Sequence, residues 1–208
     1  MESFFQYGEK EMSWLKNRDD KMAAIISKVG PLKRRVNPDL FASLVFSIVG
    51  QQLSMKAHRS IWKRVIEKCG PITPSSINDV PIENLQICGL SLKKARYLKG
   101  VAEAIISGEL DLDKLRTMND EDVIKELTVF KGIGIWTAEM LLIFSLERPN
   151  VFSFKDVSII RGLKMLYHHI EVSENRFEKY RKKFSPYCTI ASFYLWEIAS
   201  GNVDLTDL

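Results

Sequence analysis

Cysteine and histidine are scarce in this chain, and neither is spaced for a metal. The three cysteines, Cys69, Cys88 and Cys188, are far apart and form no CxxC pair, and the three histidines have no partner at zinc-ligand spacing. Iron–sulfur clusters and zinc sites need grouped thiolates or imidazoles, so we expect neither here. We interpret the cysteines as free thiols in a reducing compartment.

Long apolar runs and a strong charge imbalance are also missing. No run approaches the ~18 apolar residues of a membrane span, and the N-terminus lacks the apolar core of a signal peptide. The net charge of +4 permits a polyanionic partner without requiring one. We therefore expect a soluble intracellular monomer with no membrane partner, located in the cytoplasm or nucleoid if the source is prokaryotic.

Helical periodicity dominates what is present. Apolar residues at helical spacing predict a helix over 20–29, and Asn37 and Pro38 indicate the cap and first turn of a helix that is apolar nearly all round. The alternation in "NVFSF" (150–154) is short and isolated. We predict an all-α protein of about ten helices without linkers or repeats.

The stretch "KGIGIWTA" (131–138) places a Gly-x-Gly turn between two predicted helices. A dinucleotide fingerprint needs a preceding strand and a third glycine where Thr137 stands, so it is excluded. One remaining interpretation is a tight turn whose glycines only permit close packing. The other is a helix-hairpin-helix, whose free amides at the second helix bind a DNA phosphate. The apolar second helix and the lysine at the turn favour the hairpin.

Asp156 follows the second glycine of the turn by 22 residues, at the apparent start of a helix. This order of hairpin, apolar helix, loop and aspartate resembles the helix-hairpin-helix (HhH-GPD) DNA glycosylases. The stretch "FASLVFSIVGQQLSMKAHRSI" (41–61) is similar to the segment that wedges DNA in their alkylation-repair branch, and "SPYCTIASFYLWEIAS" (185–200) to its closing helix. The likeness is nearest to 3-methyladenine DNA glycosylase II and covers roughly residues 20–201.

The resemblance implies a two-part helical glycosylase core within one unit, 1–208. A middle six-helix part would span about 32–150. The segments 1–31 and 151–208 would form the second part, with the active cleft between the parts. The helix-hairpin-helix would occupy about 119–147.

Asp156 has two compatible roles. As a helix N-cap it would accept amide hydrogen bonds, which favour the carboxylate anion. The resemblance implies that it is also catalytic. An anion beneath the deoxyribose stabilises oxocarbenium-like charge as the glycosidic bond breaks, and it can orient or deprotonate the attacking water.

Trp136 stands where the strand-nicking branch of the superfamily carries a Schiff-base lysine. The resemblance therefore implies a monofunctional enzyme without AP-lyase activity. It also implies a base pocket lined by Trp136, Trp196 and Met140, with core packing as the alternative for both tryptophans. An alkylated purine is cationic, and a cation over an indole gains ~0.5–2 kcal/mol. Met140 replaces an aromatic found in some relatives, so the pocket would be roomier or differently selective.

Gln52 corresponds to the wedge that fills the gap left by a flipped nucleotide, although glutamine pairs are also common on solvent faces. Gln51 would brace the turn. We expect DNA-phosphate contacts from Lys131, Gly132, Gly134, Lys56 and Arg59.

No cofactor is expected to be required. The family's hairpin binds a monovalent cation, K⁺ or Na⁺, through backbone carbonyls. By position these would belong to Thr128, Phe130 and either Ile133 or Gly132. The chain departs from the family pattern beside the aspartate, where Lys155 and Val157 stand.

The function implied by the resemblance is base excision repair. The enzyme would flip an alkylated purine, of the 3-methyladenine or 7-methylguanine type, out of double-stranded DNA and hydrolyse its N-glycosidic bond. A sister specificity for deaminated, mismatched or oxidised bases is one alternative, and a catalytically silent helix-hairpin-helix DNA-binding protein is another. A protein-interaction domain with a coincidental turn is a weaker third. A binder gains nothing from an aspartate near phosphates, which favours the enzyme.

Overall fold

Helices make up most of the structure, a computed structural model that describes residues 3–206. A two-stranded antiparallel ribbon, β1 (Ser3–Phe4) and β2 (Arg35–Val36), and a 3₁₀ turn at Lys114–Arg116 accompany them. The predicted all-α class is confirmed. Within this range the helices are α1 (Glu9–Lys16), α2 (Asp20–Val29), α3 (Leu40–Gly50), α4 (Met55–Cys69), α5 (Pro74–Asp79), α6 (Ile82–Ile87), α7 (Leu92–Ile106), α8 (Asp120–Thr128), α9 (Ile135–Phe144), α10 (Val157–Tyr167), α11 (Glu174–Phe184) and α12 (Cys188–Ala199).

Side-chain caps set most of the helix starts, and one predicted cap is wrong. Asp39, not Asn37, caps α3, because its carboxylate accepts from the Ala42 amide at 2.9 Å. Asn37 instead accepts from the Asp39 amide at 3.1 Å. The segment 150–154 forms no strand. The eight-residue α1 is absent from the predicted set because its apolar stripe is too short to show a clear period.

One compact unit comprises Asn37–Leu146. Its centre is formed by α3 and α9, whose apolar character on all sides predicts burial. The structure confirms this, since Leu44, Ile48, Leu142 and Ile143 have no exposed surface. Because both helices are buried on nearly every face, their positions are fixed by packing. The turns at their ends are therefore held in place as well.

The other unit comprises Met1–Val36 and Glu147–Leu208. In it α10 lies directly on α12, because Gly162 has no side chain at the contact. A Cβ added there would stand 2.4 Å from the Leu195 carbonyl oxygen. Phe193 and Tyr194 on α12 are fully buried. No helix within residues 3–206 is both long and apolar enough to cross a bilayer.

Candidate functional site

The predicted hairpin is formed by α8, a short turn and α9. Two backbone bonds close the turn, from the Phe130 amide to the Leu127 carbonyl at 3.2 Å and from the Ile133 amide to the Phe130 carbonyl at 3.1 Å. Gly134 is the N-cap of α9 and has no side chain to satisfy the amides of the first helical turn. Gly134 and Ile135 are both exposed, so the positive end of α9 faces solvent.

Gly132 is required by this chain's own packing. Its φ is +97°, a conformation that other residues rarely adopt. A Cβ would also lie 2.4 Å from the ring of Tyr97 on α7. The packing interpretation of the turn is therefore correct for this glycine.

Gly134 is different, because its φ of −93° suits any residue. A Cβ there would meet nothing within 4 Å among the described residues. It would instead stand in the open space before the α9 amides. Packing within the described chain does not explain a glycine here, and the phosphate contact expected at this position stays a prediction.

The turn between α3 and α4 contacts the hairpin through Gln51. Its side-chain amide donates to the Gly132 carbonyl at 2.8 Å and to the Thr137 hydroxyl at 3.1 Å. The prediction that Gln51 braces the turn is confirmed, because these two bonds tie the turn between α3 and α4 to the hairpin. Gln52 is exposed and adopts the left-handed conformation, with φ +56°. Its side chain therefore projects from a turn whose preceding residue, Gln51, is held by these two bonds.

Lys94 on α7 holds the same turn and was not predicted. Its ammonium donates to the carbonyls of Val49 and Gln51 at 2.8 and 2.6 Å, at the C-terminal end of α3, where a cation is favourable. Burial lowers the pKa of Lys94. On an amphipathic helix this residue looks like any solvated lysine, so no local signal could have identified it.

His58 on α4 packs against Gly50, at the end of α3 beside this turn. Its ring Nε2 donates to the Phe46 carbonyl, 3.0 Å away, and the ring lies tilted against the Phe46 ring with the two centroids 4.0 Å apart. The ring occupies the place that a side chain at Gly50 would need. Burial lowers the pKa of His58, and repulsion from Lys94 adds to this.

The predicted phosphate contacts Lys56 and Arg59 lie exposed on α4, and Lys131 lies exposed on the hairpin.

Asp156 is the N-cap of α10, as predicted. One carboxylate oxygen accepts from the amides of Ser158 at 2.8 Å and Ile159 at 3.0 Å. The side chain is 7% exposed, yet its neighbour Val157 is 80% exposed. The helix thus places a nearly buried carboxylate immediately behind a solvent-facing surface.

The loop before Asp156 is fixed by residues that sequence reasoning did not single out. The Thr189 hydroxyl on α12 accepts from the Val151 amide at 3.0 Å and donates to the Arg148 carbonyl at 2.7 Å. Phe152 stacks on Phe177 of α11 at 4.4 Å. Both anchors lie far away in the chain, so only the folded structure reveals them.

The predicted pocket residues lie on α9 and α12. Trp136 and Trp196 are half-buried, and the Trp196 ring lies 5.8 Å from that of Phe193. Met140 is one turn beyond Trp136 and is 6% exposed. Their roles, like those of Asp156, Gln52 and the phosphate contacts, stay predictions.

The monovalent-cation site also stays a prediction. Thr128 ends α8, so its carbonyl is among those without an intrahelical partner, and carbonyl oxygens suit K⁺ or Na⁺. The Phe130 carbonyl accepts from the Ile133 amide and the Gly132 carbonyl from Gln51, and since a carbonyl oxygen has two lone pairs, both Ile133 and Gly132 stay open as the third ligand. No cluster of three or more His, Cys, Asp or Glu side chains suited to a metal occurs within residues 3–206.

The hairpin, the capped aspartate and the two helical units define a class of DNA repair protein. Residues 45–186 match the family described as HhH-GPD superfamily base excision DNA repair protein, and the chain belongs to this family.

Particular relatives extend the match over nearly the whole chain. DNA-3-methyladenine glycosylase 1 of Schizosaccharomyces pombe is 32% identical over 91% of this chain and 85% of its own length. The crystal structure of a DNA-3-methyladenine glycosidase from Bacillus halodurans is 38% identical, with a TM-score of 0.80 over 95% of this chain and 92% of that one. A 3-methyladenine DNA glycosylase of S. pombe in complex with abasic DNA is 32% identical, with a TM-score of 0.82 over 90% and 95%.

Proposed function

We propose that this protein is a monofunctional DNA glycosylase of base excision repair. It hydrolyses the N-glycosidic bond of alkylated purines, of the 3-methyladenine and 7-methylguanine type, in double-stranded DNA. The names of its relatives support the reaction class, and the B. halodurans and S. pombe structures match almost its full length.

The observation that carries the proposal is the placement of Asp156. This carboxylate is almost buried while the helix start around it is exposed, and it stands at the position that the resemblance gives to the catalytic aspartate. The two amides that donate to it hold one carboxylate oxygen in place. A fixed anion of this kind needs little reorganisation as positive charge develops on the deoxyribose.

The chemistry follows from the charge of the substrate. Methylation at N3 or N7 makes the purine cationic, which weakens the glycosidic bond and reduces the need for acid catalysis. Trp136 and Trp196 would bind the flipped base through their indole faces. Asp156 would stabilise the sugar cation and orient or deprotonate the water that attacks it.

DNA would be held through its backbone and opened by Gln52. The exposed α9 amides beside Gly134, together with Lys131, suit a phosphate. Gln52, on its braced turn, would fill the space left by the flipped nucleotide. Because position 136 is tryptophan rather than lysine, no Schiff base forms there, and the product is an unbroken abasic strand.

Asp156→Asn tests the proposal. Asparagine caps a helix as well as aspartate does, so the variant should fold and bind DNA. It removes the anion, and base release should fall by about 10²-fold or more. The assay incubates the protein with methylated duplex DNA, identifies the released bases, and tests for nicks with and without alkali. Asp39→Asn, which alters another helix cap in the same way, is the matched control and should keep full activity.

Near-normal turnover by Asp156→Asn would refute the catalytic role. Release of uracil or hypoxanthine without release of methylated purines would indicate a sister specificity. A lack of release from every modified DNA by the wild-type protein would indicate a silent DNA-binding protein. A nick without alkali would contradict the monofunctional assignment.

A further inference from the structure

A groove of about 660 Å³ lies between α7 and the hairpin turn. Its apolar surface includes Tyr97 and Phe130 together with Val129, which is 73% exposed. Gly100 leaves the middle of the α7 wall without a side chain. The groove is therefore concave and partly apolar, although it faces solvent.

Three cations line this groove: Lys93 and Arg96 on α7 and Lys131 on the hairpin. All three are exposed, and no acidic residue shares the groove lining with them. Within residues 3–206 none of them forms an ion pair, and Lys93 lies over the Tyr97 ring at 5.7 Å. Three unneutralised cations around an apolar floor are complementary to an anionic partner that also has apolar surface.

The groove continues directly from the hairpin. Lys131 and Phe130 belong to both, and the backbone of Gly132 lies against the Tyr97 ring that forms part of the groove wall. Gly134 stands two residues after Gly132. A DNA strand with one phosphate on the α9 amides would therefore place its neighbouring nucleotides in the groove.

We propose that this groove binds the sugar–phosphate backbone of the DNA strand next to the phosphate held by the hairpin. Lys93 and Arg96 contact successive phosphates, and the apolar wall packs against the deoxyribose between them. The proposal rests on the proposed function only in taking DNA as the ligand. An acidic protein segment is the competing occupant.

The test is the salt dependence of DNA binding by the double variant Lys93→Gln/Arg96→Gln. Glutamine keeps most of each stem and removes the charge. Affinity for undamaged duplex DNA is measured between 50 and 300 mM KCl. Each lost phosphate contact lowers the slope of log K against log salt by about 0.9, so the slope should fall by about 2 in magnitude. The control, Lys179→Gln/Lys182→Gln, removes two exposed charges from α11 and should keep the wild-type slope.

A slope equal to that of the wild type would overturn the proposal and leave an acidic protein as the better occupant. An equal fall in the α11 control would also overturn it, because net charge would then be the cause. Thermal unfolding of both variants verifies that they are folded. Failure of the proposed function would look different, since the wild-type protein would then release no base while the groove variants still changed the slope.

Discussion

At the residue scale, the two glycines of the hairpin differ in whether the fold requires them. Gly132 has a positive φ and lies against Tyr97, so the fold itself requires it. Gly134 has an ordinary φ and open space before it, so the fold does not. One Gly-x-Gly motif thus combines a glycine that packing requires with a glycine that packing does not require.

Alanine at each position separates these causes. Gly134→Ala should unfold like the wild type but bind duplex DNA more weakly, because the methyl group stands before the α9 amides. Gly132→Ala should lower the free energy of unfolding by about 1–3 kcal/mol through backbone strain and the Tyr97 contact. Urea unfolding and DNA titration of both variants measure the two effects. Unchanged DNA affinity in Gly134→Ala would argue against a phosphate at the α9 amides.

At the element scale, α10 and α12 together determine where Asp156 lies. The aspartate caps α10, Gly162 sets the distance of α10 from α12, and Thr189 of α12 holds the loop before the aspartate. The position of the carboxylate therefore depends on the contact between two helices rather than on the loop alone.

Gly162→Ala tests this dependence. The new methyl group meets backbone at Leu195, which cannot rotate away, so α10 must move. We expect a loss of about 1–3 kcal/mol in the free energy of unfolding and a fall in kcat larger than any change in KM. Gly100→Ala, in the middle of α7 with open space around it, is the matched control for stability. It should stabilise the protein by roughly 0.5–1 kcal/mol. A Gly162→Ala protein with wild-type stability and kcat would contradict this account.

At the scale of the whole molecule, each unit contains a histidine whose pKa is lowered mainly by burial. His58 supports the turn after α3, and His169 contacts the Tyr180 hydroxyl at 2.7 Å in the other unit. Repulsion from Lys94 acts on the first, and repulsion from Arg176 and Lys21 acts on the second. Protonation of either ring is therefore easier in the unfolded chain.

Stability should fall on mild acidification. An unfolded histidine titrates near its ordinary pKa of ~6.5, above the folded value, so the unfolded chain binds more protons as pH falls through this range. The free energy of unfolding should therefore decrease as the pH falls below about 6.5. His58→Gln and His169→Gln should each reduce this decrease, as measured by urea unfolding at several pH values. His168→Asn removes one of the positive charges that lower the pKa of His169, so it should reduce the decrease by less than His169→Gln does. The same pH dependence in all three variants would rule out both histidines as its source.

The sequence by itself determined the features that depend on local pattern. The all-α class followed from helical periodicity, the burial of α3 and α9 from their apolar residues, and the cap at Asp156 from residue type before a helical run. The order of hairpin and aspartate was sufficient to indicate the superfamily. The wrong cap also had a local cause, because two polar residues on either side of Pro38, Asn37 and Asp39, were both candidates for one cap.

Only the tertiary structure decided which residues support the site. Lys94 reaches the end of α3 from α7, Gln51 reaches the hairpin across 81 positions, and Thr189 reaches the loop before Asp156 across 38. It also distinguished Gly132 from Gly134 by the presence of Tyr97. The physical reason is that a hydrogen bond or a steric contact depends on which surfaces meet after folding, and periodicity along the chain records only which surface is apolar.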